Sequence, residues 1–98
     1  MNDVCNILSA LAEPIRLAAI RLLWDGDEHC VCELMEKLGV TQSRMSRHMA
    51  TLKTAGLVVD RRDAQWVRYR RAPSIPPNVA ALVAAALSIS AQPQRIAA

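Results

Sequence analysis

The stretch EHCVCELMEKLGVTQSRMSRHM, residues 28–49, decides how this chain folds. Leu34, Met35 and Leu38 are spaced for one face of a helix that opens near Cys30 to Cys32 and closes at Gly39. A glycine there can take the left-handed backbone that caps a helix C-terminus. Val40 packs the turn, and Thr41 is a plausible N-cap for a second helix from Gln42 to about Ala55, ended by Gly56. Two helices joined by a short glycine-containing turn make a helix-turn-helix. Two thiols one residue apart, Cys30 and Cys32, stand at its entrance, and the rest of the sequence bears on why.

Upstream, Val4, Ile7, Leu8 and Leu11 recur at three and four residues and predict a helix over Met1–Ala12. Pro14 suits the first turn of the next helix, Pro14–Trp24, which Asp25-Gly26-Asp27 stops. Downstream of Gly56 the period switches to two. LVVDRRDAQWVRYRR reads as strand, turn and strand, with Leu57, Val59, Val67 and Tyr69 on one face and arginines at tip and edges. APSIPP is an extended connector to a final helix from about Asn78 to Ser90. The expected class is mainly α (α+β): a winged helix-turn-helix of about five helices plus a two-stranded β-hairpin wing. One domain over 1–91 is expected, with a frayed tail over 92–98.

Ninety-eight residues make one small domain, of a size that often gains stability by pairing with a second copy. Apolar residues are 52% of the chain, yet Trp24, Trp66 and Tyr69 are its only aromatics, so aliphatic side chains must fill the core. The net charge of +3 is uneven, with Arg44, Arg47, Arg61, Arg62, Arg68, Arg70 and Arg71 all in one segment. A polyanion partner or a merely solvated basic face would both fit this charge. No leader peptide or membrane span is visible, which leads to the expectation of a cytoplasmic protein with reduced cysteines. Metal binding or reactivity is then a better reading of Cys5, Cys30 and Cys32 than a structural disulfide.

At about 100° per residue, Met45, Met49 and Leu52 cluster on one side of the fourth helix, flanked by Gln42 and His48. The other side carries Ser43, Arg47, Ala50 and Thr54, with Arg44 and Ser46 on its shoulders. Arginine, short polar groups and small residues suit a major groove, although any surface helix is amphipathic. What raises the DNA reading is the preceding helix and turn, the lack of acidic residues from Val40 through Val59, and the basic hairpin that follows.

LSALAEPIRLAAIRLL, CVCEL, LGVTQSRMSRHMATLKTAGLVVDRR and WVRYR together resemble the ArsR/SmtB family of small homodimeric winged-helix repressors, and the arsenical- and antimonial-responsive branch most closely. The resemblance covers about Ile7 to Leu87. It implies repression of transcription from double-stranded operator DNA, relieved when a metal or metalloid binds the dimer. It also implies that Thr41, Gln42, Ser43, Ser46, Arg47 and His48, with Arg44 beside them, lie at the DNA, and that hairpin arginines such as Arg61 and Arg62 reach neighbouring backbone. Two-fold pairing predicts an inverted-repeat operator, with recognition helices about 34 Å apart.

On an ideal helix, residues two apart project about 200° from each other, so Cys30 and Cys32 could not both bind one ion from within a helix. If Cys30 lies at or before the N-cap, the two sulfurs can converge, and the helix N-terminus favours their thiolate forms. Soft thiolates suit As(III) or Sb(III), which the resemblance implies would act as inducer rather than constitutive cofactor. The alternative is that both cysteines simply pack under the turn. Some arsenical sensors have a third cysteine at the position occupied here by Met35, which reads as core. Cys5, from either subunit, is the candidate third ligand. His29 beside the pair leaves open a mixed nitrogen and sulfur site for Zn(II) or Cd(II), and a soft-metal sensor for Cd, Pb or Zn is an alternative to the metalloid reading.

A thiol-redox or persulfide-responsive repressor of the same fold is the nearest competitor. An enzyme finds no support: there is no nucleotide-binding glycine motif, no paired carboxylate near a His and no C-x-x-C. The final helix offers Val79, Leu82, Val83 and Ala86 as a subunit interface with the N-terminal helix against it, unless it only covers its own core.

Overall fold

The computed structural model describes residues 3–89. The tail expected over 92–98, and Met1 and Ser90 at the expected helix ends, lie outside the described residues. The order is α1 (Val4–Leu11), α2 (Pro14–Leu23), β1 (His29–Cys30), α3 (Val31–Leu38), α4 (Gln42–Thr54), β2 (Val58–Asp63), β3 (Trp66–Arg71) and α5 (Pro77–Ile89).

Local chemistry sets these boundaries. The Asp3 carboxylate accepts the Asn6 N–H at 2.9 Å to start α1. Glu13 accepts the Arg16 N–H at 2.8 Å to start α2, where Pro14 gives up no needed donor. Thr41 Oγ1 caps α4 by accepting the Arg44 N–H at 3.3 Å. Gly39, at φ 68°, closes α3 in the left-handed region and donates its N–H to the Met35 carbonyl at 2.9 Å. Thr41 and Gly39 are the caps that the sequence predicts.

One core joins all the helices. Ile15, Ala19, Ile20 and Leu23 of α2, Leu34 of α3, and Met45, Met49 and Leu52 of α4 are buried together with Ile7, Leu57, Val58 and Tyr69. A fully buried leucine such as Leu34 contributes roughly 2–5 kcal/mol against alanine. Met35 packs at the edge of this core, as the sequence suggests.

The sheet differs from a simple hairpin in two ways. It has three strands in the order β1-β3-β2, because His29 and Cys30 pair antiparallel with Tyr69 and Arg68. Its register also departs from the expected face. Val58 pairs with Arg71, Asp60 with Tyr69 and Arg62 with Val67, whereas Val59 pairs with Arg70. Directly paired residues share a face, so Val59 lies on the other face of the sheet from Val67 and Tyr69, and Val58 takes the buried place. The slip arises because Leu57 is not in β2. It sits in the turn after α4 and drops into the core, shifting the alternation by one residue.

At the wing tip Ala64 holds φ 58°, a left-handed position that a two-residue hairpin turn usually gives to glycine. Arg71 ties the sheet back to α2: its guanidinium lies 3.8 Å from the Trp24 ring centroid and donates to the Trp24 carbonyl at 3.1 Å.

Of the four residues expected at the subunit interface, Val83 needs correction. It is fully buried in its own chain's core, with Leu87 beside it. Val79 and Leu82 are half-buried against that core, and Ala86 is half-exposed. Helix α5 is apolar on more than one side, and the sequence does not reveal which side meets its own chain. Among the described residues, the large apolar side chains left outside are Val4 and Leu8 on α1, Trp66 on β3 and Ile89 on α5.

Candidate nucleic-acid interface and thiol site

The outer face of α4 is built by default: burying Met45, Met49 and Leu52 turns Gln42, Ser43, Arg44, Arg47 and Ala50 to solvent, with Ser46 half-exposed beside them. Thr41 is exposed at its start, so the α4 N-terminus, the cap and Arg44 open onto one surface. Such an end attracts a phosphate.

His48 does not stand on that face. Its ring is half-buried between α4 and α2, where Nδ1 lies 3.2 Å from Arg16 Nη1 and 3.9 Å from Glu13 Oε1. A guanidinium only donates, so Nδ1 accepts and the ring is neutral in this arrangement. Burial, with Arg16, Arg44 and Arg47 nearby, holds His48 below the usual histidine range, against the opposing pull of Glu13. Arg16 in turn donates to the Ala10 carbonyl at 2.7 Å and to the Ser9 carbonyl at 3.3 Å, so one arginine joins α1, α2 and α4.

In the wing, Arg62 and Arg70 are exposed. Arg68 Nε donates to Asp63 Oδ2 at 2.8 Å. Arg61 makes a two-point contact with Glu28, Nε to Oε2 and Nη2 to Oε1, both at 2.7 Å. This pairing holds the Glu28 carboxyl below the usual carboxylate range.

The thiol pair sits where the first helix of the helix-turn-helix begins. Cys30 is the N-cap of α3, with extended backbone at φ −67° and ψ 146°, and the Cys32 N–H donates to Cys30 Sγ at 3.3 Å. The Cys30 N–H donates to Glu33 Oε1 at 3.0 Å, closing a reciprocal cap and lowering the Glu33 pKa. Because Cys30 is outside the helical repeat, the 200° divergence does not apply. The Cα atoms are 5.2 Å apart and the two sulfurs are joined as a disulfide, in contrast to the free thiols expected of a reducing compartment. The pair is asymmetric: Cys30 is buried in the core and Cys32 is exposed.

Cys5 is exposed on α1, which packs on α2 and α4. Among the described residues of one chain, no three His, Cys, Asp or Glu side chains gather as a metal cluster. His29 Nδ1 is buried without a hydrogen bond, 3.5 Å from Glu33 Oε2. That distance suits an ion pair if the ring is protonated.

Sequence reasoning passed over Glu28, Glu33 and Arg16. Glu33 was legible, since a capping residue followed three positions later by Glu is a helix-start signature. Glu28 and Arg16 were not, because the side chains they meet, Arg61 and His48, lie more than thirty residues away along the chain.

A helix-turn-helix with a polar, arginine-bearing outer helix and a basic wing defines a winged-helix DNA-binding protein. The bacterial regulatory protein family arsR matches residues 13–59. The chain is 39% identical over 78 residues to the arsenical resistance operon repressor of Escherichia coli, covering 80% of this chain and 67% of that protein. It is 37% identical over 87 residues to the arsenic resistance transcriptional regulator ArsR2 of Pseudomonas putida, covering 89% and 76%. Among solved structures, HlyU from Vibrio cholerae superposes with a TM-score of 0.76 at 33% identity, covering 90% of this chain and 91% of that one. A homodimeric winged helix-turn-helix DNA-binding domain of a possible ArsR-family regulator from Mycobacterium bovis gives a TM-score of 0.73 at 31% identity, covering 90% and 78%. This chain belongs to the ArsR family of transcriptional repressors; it is a regulator of transcription and not an enzyme.

Proposed function

We propose that this repressor responds to trivalent metalloids: as a homodimer it binds an inverted-repeat operator, and it lets go when As(III) or Sb(III) is captured by the Cys30 and Cys32 thiolates. The observation that carries this reading is Cys30 at the N-cap of α3, which brings the sulfurs of a C-x-C together at the start of the helix-turn-helix. The names of the Escherichia coli and Pseudomonas putida relatives support arsenic as the signal. In the reduced protein the two sulfurs would hold the metalloid. Cys5 would supply a third sulfur from the partner subunit, since within one chain the three do not cluster.

Docking uses the outer face of α4, with Thr41, Gln42, Ser43, Arg44, Ser46 and Arg47 in or beside the major groove and Arg61 and Arg62 on flanking phosphates. His48 takes a supporting part, holding α4 to α2 rather than touching DNA. Capture of one atom by both sulfurs moves Cys30 against Cys32 and tilts α3, so that α4 no longer enters the groove correctly. A ligand that binds the free protein better than the DNA-bound one lowers operator affinity by the same factor. Exposed Val4, Leu8 and Ile89, with the outer side of α5, form the two-fold interface. Among the described residues no helix is long and apolar enough to cross a membrane, and a cytoplasmic address fits the reading.

Titrating the reduced dimer with arsenite and antimonite, on and off operator DNA, tests this. Release by both at one equivalent per thiol pair is expected, and retention on DNA at saturating arsenite refutes it. A second reading has one observation in its favour: the sulfurs of Cys30 and Cys32 are already joined. In that reading, oxidation of the pair is the signal, and release by oxidant without metalloid would select it.

A further inference from the structure

Glu28, two residues before Cys30, lies outside the thiol pair and outside the helix-turn-helix, yet its carboxylate grips Arg61 at two points. The segment between them is not a loose linker. His29 and Cys30 form β1 and pair with Tyr69 and Arg68 of β3. Arg68 and Arg61 are cross-strand partners in the wing, and Arg68 also holds Asp63. Cys30 therefore belongs to two bodies at once: its sulfur and N–H begin α3, and its backbone is the edge strand of the wing sheet.

The contact with Glu28 occupies Arg61 in the same manner that a phosphate would, two oxygens against one guanidinium. In this structure it coexists with a closed sulfur pair. We infer that Glu28 is a positioning residue that works as an internal phosphate mimic: when the Cys30–Cys32 pair is closed, β1 is fixed against β3 and Glu28 withholds Arg61 from the DNA backbone. The wing is then a second arm of the switch, operated by the same cysteine that tilts α3. This inference rests on the proposed thiol-gated release, and it assigns Glu28 a role in coupling and none in holding the ligand. Glu28 and Arg61 are both partly solvent-exposed, so each grips the other only weakly, as a reversible competitor of phosphate should.

The test compares wild type, Glu28→Gln and Glu28→Asp as full-length reduced dimers, measuring operator affinity across a salt series with and without saturating arsenite. Each phosphate contact contributes about 0.9 to the slope of log affinity against log salt. In wild type, arsenite should lower that slope by about 0.9 per subunit as Arg61 is withdrawn. Glu28→Gln should bind arsenite normally but keep its slope, and lose roughly 1.5- to 5-fold less operator affinity than wild type, the range an exposed ion pair supports. Glu28→Asp should restore part of the slope change. An arsenite-induced slope change in Glu28→Gln equal to that of wild type would overturn the inference.

If arsenite alters neither affinity nor slope in wild type, the metalloid reading fails instead. The same comparison is then made with the pair closed by diamide, whose N=N bond takes up the two electrons and two protons released as the thiols become a disulfide. A slope change in wild type that Glu28→Gln loses sustains the wing coupling, and one that both share, or neither shows, removes it.

Discussion

Replacing Cys30 separates the structural work of its sulfur from its sensing work. As the N-cap of α3, Cys30 Sγ accepts the Cys32 N–H, and the side chain is also a buried part of the core at 3% exposure. Serine keeps the acceptor and is a preferred N-cap, whereas alanine removes it. Loss of an N-cap costs about 0.5–2 kcal/mol. Deleting a buried group of this size adds about 0.8 kcal/mol. Cys30→Ala should thus lose about 1–3 kcal/mol, and for a domain of this size each 1 kcal/mol lowers Tm by about 4–8 °C. Cys30→Ser should stay within about 1 kcal/mol of wild type. Thermal unfolding by circular dichroism, at fixed dimer concentration and with reductant, reads the stability. Operator anisotropy with arsenite reads the response. Both variants should bind operator, and neither should release it, because a hydroxyl or a methyl cannot replace a thiolate toward a soft centre. Equal stability of Cys30→Ala and wild type would refute the N-cap assignment, and normal release by Cys30→Ser would refute the thiolate switch.

Other residues test the remaining parts. Arg47→Ala should weaken operator binding by about 1–3 kcal/mol if Arg47 reads a base, with folding and arsenite binding intact, and unchanged affinity at fixed salt would count against this docking. Leu8→Glu, on an exposed apolar position, should give folded monomers in sedimentation, whereas Val83→Glu should fail to fold because Val83 is wholly buried. A dimeric Leu8→Glu protein would remove α1 from the interface. His48 has a lowered pKa in the fold, so the unfolded chain binds its proton more readily. Its stabilising contribution is present above the unfolded value of about 6.5 and lost as pH falls below it. His48→Gln should flatten the stability loss as pH falls below about 6.5, before Glu28, Glu33 and Asp63 take up protons, and chemical denaturation across that range would expose an unchanged slope.

What the sequence determined by itself is whatever rests on neighbours along the chain. Helix periodicity, the caps at Thr41 and Gly39, Pro14 at a helix start and the switch to a period of two after Gly56 are local signals, and they suffice for a winged helix-turn-helix. The possibility that Cys30 precedes its helix was legible for the same reason. Only the tertiary structure decided matters that depend on packing between distant segments. His29 and Cys30 form a third strand because β3 offers them an edge, which two residues of sequence cannot announce. The wing register moved by one because Leu57 found a place in the core. His48, which helical periodicity sets beside the buried side and the family resemblance sets at the DNA, is held against α2 because Arg16 and Glu13 stand beside α4. Val83 faces inward because α5, apolar on several sides, takes its orientation from the surface it covers and not from any pattern of its own. Glu28 meets Arg61 across thirty-three residues, and a pair of opposite charges at that separation acquires meaning only when the fold places them 2.7 Å apart.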